Sequence, residues 1–91
     1  MSVYVDKLHN VIRNPKWRYA KACHLLADST EELHKFARKI GLRREWYQYE
    51  NIPHYDLTQR KRIRAVKNGA IEINRIELSR KMVEIRSKKD G

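Results

Sequence analysis

The chain has 91 residues, of which 41% are hydrophobic and 35% charged, with 3 Gly and 2 Pro. That composition excludes a disordered or low-complexity polypeptide, and the length leaves room for one domain with one modest core. With 21 Lys+Arg against 11 Asp+Glu, the formal net charge is +10, an attractive field for polyanions.

The charge is unevenly spread. Residues 1–56 hold 10 basic and 7 acidic side chains, a balance of +3, whereas residues 57–91 hold 11 and 4, a balance of +7. Nucleic acid is the commonest partner for such a pattern, ahead of acidic protein surfaces and anionic lipid. Cys23 is the one cysteine, so no internal disulfide forms, and a lone thiol suits a reducing compartment. The start, MSVYVDKLHN, lacks the apolar run of a signal peptide. No apolar stretch approaches the ~20 residues that span a bilayer. A cytoplasmic location is expected, the host cytoplasm if the protein is phage-encoded, with no membrane partner.

In chain order, Val3-Tyr4-Val5 predicts a short strand ending at Asp6. Residues 7–19 read as a loop with basic and aromatic tips, turning at Asn14-Pro15. The apolar run Ala22 to Ala27 fits a buried strand, because the polar stretch after it argues against a helix. Ser29 and Glu32 form a capping box. Leu33, Phe36, Ala37 and Ile40 follow at i, i+3, i+4 and i+7, and Gly41 stops that helix. Glu45 to Tyr49 predicts a third strand with Trp46 and Gln48 on one face. Asp56 is expected to cap a helix over 57–68, with Ile63 and Val66 inward and Asn68-Gly69 at its end. Ala70 to Ile73 predicts a fourth strand, and Asn74 with Glu77 caps a last basic helix over about 74–88. The fold expected is α/β: a single small domain over 1–91, with a short mixed sheet of about four strands packed with three helices.

The last helix carries two apolar stripes. Leu78, Met82 and Ile85 lie on one side, with Ile76 and Val83 nearly opposite. The first expectation is a helix packed between two parts of the domain; the sharper one is a homodimer or protein-partner contact.

Tyr4-Val5-Asp6, Cys23-His24-Leu25-Leu26-Ala27-Asp28, Glu32 to Ala37, Ile40-Gly41, His54-Tyr55-Asp56 and Gly69-Ala70 occur in one order. Over Val3 to about Ile73 they resemble a family of small bacterial and phage proteins classified only as a domain of unknown function. In some actinobacterial proteins a similar domain is attached to a phosphohydrolase. The family pattern more often carries Ser where this chain has Cys23, which argues against a catalytic thiol. By that resemblance, the basic segment of residues 13–21 and the tail after Ile73 are expected to be particular to this member. The resemblance implies one intact domain and points at His24, Asp28, His34, His54 and Asp56, without an activity.

If Asp6 reaches the same sheet edge as the His54-Tyr55-Asp56 turn, then Asp6, His24, His54 and Asp56 are candidates for a metal-assisted phosphohydrolase or nuclease. The plainer expectation assigns Asp28 and Asp56 to helix caps, His24 to the core, His34 to solvent, and Tyr55 to packing with its hydroxyl at the surface. On that expectation no metal and no cofactor is called for. No H-E-x-x-H, Walker or G-x-S-x-G motif is present.

The cationic residues carry the leading expectation. Arg60, Arg64 and Lys67 recur at i, i+4 and i+7, flanked by Lys61 and Arg62. A second group, Arg13, Lys16, Arg18 and Lys21, is interleaved with Trp17 and Tyr19, a mixture suited to phosphate contact and base stacking. The tail Arg86 to Lys89 adds charge. The chain therefore reads as a small basic accessory protein of phage or bacterial origin that binds nucleic acid without catalysis. The alternative is a protein-interaction module, such as an adaptor or an inhibitor of a host enzyme.

Overall fold

A computed structural model gives the fold and describes residues 2–15, 17–50 and 52–90, with side chains through residue 87. Along the chain run β1 (Val3–Val5), β2 (His9–Asn10), β3 (Lys21–Ala27), α1 (Thr30–Lys39), β4 (Tyr55–Leu57), α2 (Gln59–Lys67), β5 (Ile71–Glu72) and α3 (Arg75–Asp90). The class is α/β, with a mixed sheet of five strands and three helices.

Everything is hung on β3. Along one edge β4 runs antiparallel, placing Cys23, His24 and Leu25 opposite Leu57, Asp56 and Tyr55. The other edge takes β1 against Leu25 to Ala27 and then β2 against Lys21 and Ala22. Between those two short strands the chain leaves the ladder at Asp6. β5 adds outside β1 as a parallel strand.

Side-chain alternation sorts the sheet into two faces. Cys23, Leu25, Tyr55 and Leu57 join Leu33, Ala37, Ile40 and Ala65 in the main core beneath α1 and α2. His24 and Leu26 point to the other face. There α3 lays Leu78, Met82 and Ile85 on Leu26 and Ile52. Two residues back from Leu26, beside that cover, His24 is only half-buried.

The caps explain the helix limits. Ser29 Oγ accepts the Glu32 N–H at 3.2 Å. Both α1 and α2 close on a left-handed glycine, Gly41 at φ +83 and Gly69 at φ +103. In each case the following N–H reaches back, Leu42 to the Ala37 carbonyl at 2.8 Å and Ala70 to that of Ala65 at 3.0 Å. At the start of α3, Asn74 and Glu77 bond each other's backbone N–H, at 2.8 and 3.0 Å.

Five expectations change. Within residues 7–19, expected as a loop, His9–Asn10 forms β2, because Lys21 and Ala22 of β3 offer it a pairing edge. Residues 45–49 do not form a strand: Arg44–Trp46 is a 3₁₀ turn, and Gln48 makes an isolated bridge to His54. Aromatic residues favour strands through packing, and here only Tyr47 is half-buried. Tyr55 to Leu57 is a strand, so Asp56 is not a cap; Thr58 Oγ accepts the Lys61 N–H at 3.2 Å instead. Ile63 is 52% exposed, and Ala65 takes the inward place. In α3 only the Leu78 stripe is covered, while Ile76 and Val83 are each 65% exposed. The helix is packed on one side, not between two parts of the domain.

Candidate functional site

Register builds the site. His24 and Asp56 are direct cross-strand partners, so their side chains share one sheet face. Asp6 reaches the same place from the break in the neighbouring ladder. Its Oδ1 accepts the His24 backbone N–H at 2.6 Å, and its Oδ2 bonds His24 Nδ1 at 2.8 Å. His54 precedes β4 and turns its ring edge-on to that of His24, with centroids 5.4 Å apart. His9, from β2, stacks on the other side of His24, also at 5.4 Å. Two overlapping sets result, Asp6-His9-His24 and His24-His54-Asp56, and within each the ligand-type atoms lie within 4.8 Å of one another.

Hydrogen bonds fix these side chains. His54 Nδ1 lies 2.7 Å from the Ile52 carbonyl and donates to it, leaving Nε2 3.6 Å from Asp56 Oδ1. Gln48 donates its amide to Asp56 Oδ2. Arg62 braces the Asp6 turn, with Nε 2.8 Å from the Asp6 carbonyl and a terminal nitrogen 3.0 Å from Glu72. Burial alone would raise the Asp6 carboxyl, yet the ring and backbone of His24 outweigh it and hold the group below its ordinary range. The same bond to Asp6 raises the His24 imidazole, against burial. Cys23 lies on the opposite face, fully buried, and burial pushes its thiol up to about 12. It is no nucleophile at neutral pH.

Beside the cluster opens a groove of about 1480 Å³ whose lining includes His9, Gln48 and Asp56. Arg18 and Trp17 come to it from the loop, and Arg60, Lys61 and Arg64 from α2. Tyr19, Trp46 and Ile63 add apolar surface that is about half exposed. Arg18 of the first basic group and Arg60, Lys61 and Arg64 of the second, far apart in sequence, therefore share one groove. Not every cation joins it. Arg62 is spent on Asp6 and Glu72, and its side chain is 16% exposed. Lys61 lines the groove but its Nζ also caps the Ile40 carbonyl at 3.1 Å. Arg13 and Lys67 are exposed outside it, and Lys16 lies outside the described residues.

Residues 3–85 match the family described as protein of unknown function, DUF4031. The chain belongs to that family. The DUF4031 match spans every residue of the cluster and of the groove. No curated protein and no solved structure matches the chain.

Two other residues of the DUF4031 chain that sequence pointed at stay away from the cluster. Asp28 sits at the far end of β3, where its carboxylate accepts the Ser2 N–H at 2.9 Å, the Tyr4 hydroxyl at 3.1 Å and Lys81 Nζ at 3.2 Å. It ties the first strand to α3 rather than capping α1. His34 is half-buried rather than free in solvent: its Nδ1 meets the hydroxyl of buried Tyr55 at 2.8 Å. His9 and Gln48 are the cluster residues that sequence missed. Neither has a local signature, because each arrives through a pairing with a distant segment, β2 with β3 and Gln48 with His54. Among the described residues no helix is long and apolar enough to cross a membrane.

Proposed function

We propose that the protein binds single-stranded nucleic acid, with little sequence preference, in the groove between the loop of residues 11–19 and α2. One observation carries this reading: Arg18, Arg60 and Arg64 line the same open groove as Trp17, Tyr19 and Trp46. Guanidinium groups neutralise phosphates, while the exposed rings of Tyr19 and Trp46 suit stacking on unpaired bases of any identity. Duplex DNA has no free ring faces to offer such a surface. Fluorescence anisotropy with labelled single strands tests it. With about 4–6 phosphates engaged, log K should fall with log[salt] at a slope of roughly −3 to −4. The triple variant Arg18→Ala/Arg60→Ala/Arg64→Ala should weaken binding by on the order of 10–100-fold at low salt. Undetectable affinity for DNA and RNA single strands at ~50 mM salt removes the reading.

A second reading, metal-assisted hydrolysis of phosphodiesters by Asp6, His24, His54 and Asp56, is favoured by the His24-His54-Asp56 set, with Asp6 bonded to His24 and Asp56 lining that groove. A divalent ion there would polarise a phosphate oxygen and generate hydroxide from water. An end-labelled oligonucleotide incubated with Zn2+ or Mn2+ should then be cut, with cutting abolished by EDTA and by Asp56→Asn. Intact oligonucleotide after prolonged incubation with either ion counts against it.

A further inference from the structure

The geometry points to a divalent transition-metal site in which His24 Nε2, His54 Nε2 and Asp56 Oδ1 hold the ion, with Asp6 as the positioning residue behind His24. One ligand-type atom from each of these three residues lies within 4.8 Å of the other two. Tetrahedral ligands ~2.1 Å from an ion stand about 3.4 Å apart, so closure needs side-chain shifts on the order of an ångström. The His54 Nε2 to Asp56 Oδ1 separation of 3.6 Å is already there.

The stronger support lies behind the ligand atoms, where each of the three residues has its other polar atom engaged. His24 Nδ1 is bonded to Asp6 Oδ2, His54 Nδ1 to the Ile52 carbonyl, and Asp56 Oδ2 to the Gln48 amide. A neutral imidazole that donates from Nδ1 keeps the Nε2 lone pair free. Both rings are thus held in the tautomer that ligates, backed by a carboxylate and a carbonyl as ligating histidines generally are. The Gln48 bond likewise leaves Oδ1 as the free oxygen of Asp56.

Two nitrogens and one oxygen suit Zn2+ and its first-row neighbours, not Mg2+ or Ca2+, which favour all-oxygen sets. Three protein ligands also leave a coordination position open. Asp56 lines the groove, so a phosphate oxygen of a bound strand can take that position. Only this last point rests on the nucleic-acid reading; the ion itself does not.

Isothermal titration of the full chain with Zn2+ tests the site, with Co2+ absorption reporting coordination. One ion per chain is expected, with a Kd of about 1 μM or tighter, and with Mg2+ far weaker. His54→Ala and Asp56→Asn should each weaken Zn2+ by at least about 10-fold, and Asp6→Asn by about 10–100-fold with an altered Co2+ spectrum. Circular dichroism verifies that each variant is folded; should His54→Ala fail that check, the near-isosteric Asp56→Asn gives the same reading. No heat and no Co2+ band at ~1 mM metal overturns the site, as does Zn2+ affinity that Asp56→Asn leaves intact. Zn2+ bound normally by a protein that binds no oligonucleotide overturns the groove reading alone.

Discussion

Asp6 is 6% exposed and carries a charge, which its partner His24 makes tolerable. The pair has a pH window that follows from its two shifts. The Asp6 carboxyl is lowered, so its contribution is present above the ordinary value of 3.8 and lost as pH falls through the folded value. The His24 imidazole is raised, so its contribution is present below 6.5 and lost as pH rises through the folded value. Counted once, the pair stabilises fully between about pH 3.8 and 6.5 and fades on either side. Unfolding free energies of the wild type and Asp6→Asn from urea titrations should therefore differ most near pH 5–6, by about 1–2 kcal/mol after allowance for the partly exposed imidazole, and less by pH 8–9. A difference that stays flat over that range would sink the assignment. At this scale sequence was half legible. Asp6, His24, His54 and Asp56 stood out by type, but Asp56 read as a cap because Asp before a helical run commonly is one. The Tyr-Asp-Leu alternation, with its outer two side chains buried and the middle one half-exposed, was the signal for a strand.

Among the elements, α1 was legible almost to the residue, since its capping box, apolar face and glycine stop are all local. The 3₁₀ turn of Arg44–Trp46 was not, because whether an aromatic run pairs as a strand depends on a neighbour elsewhere in the chain. α3 shows the limit from another side. Its two stripes are equally apolar in sequence, and only the position of Leu26 and Ile52 decides which is covered. Truncating the covered stripe by Ile85→Ala should cost about 2–4 kcal/mol in urea unfolding. The double change Ile76→Ser/Val83→Ser, at 65% exposure each, should move stability by no more than about 0.5 kcal/mol at low micromolar protein. A larger loss that grows with protein concentration would mean that a second copy covers the stripe.

For the whole molecule, placement of charge matters more than its sum. The net +10 is shared by all surfaces, but exposed charges farther apart than about 10 Å are largely screened at ~0.1 M salt. Arg75, Arg80 and Arg86 on α3 do not line the groove, whereas Arg18, Arg60 and Arg64 do. The affinity expected of the groove variants is thus a local property that no count along the chain reveals. That the loop and α2 meet was illegible beforehand, because it depends on how β2 and β4 flank the first residues of β3.

The interruption between β1 and β2 has one more consequence. Where a neighbouring strand would offer a backbone carbonyl to the His24 N–H, Asp6 offers its carboxylate. A side chain has taken over a duty of the main chain, so most replacements of Asp6 strand a hydrogen-bond donor inside the sheet. Asp56 and His54 enter the ladder through their backbones alone, so replacing either side chain leaves its hydrogen bonds intact. Descendants of this protein can lose the cluster through β4 and still fold. Losing it through Asp6 endangers the fold as well.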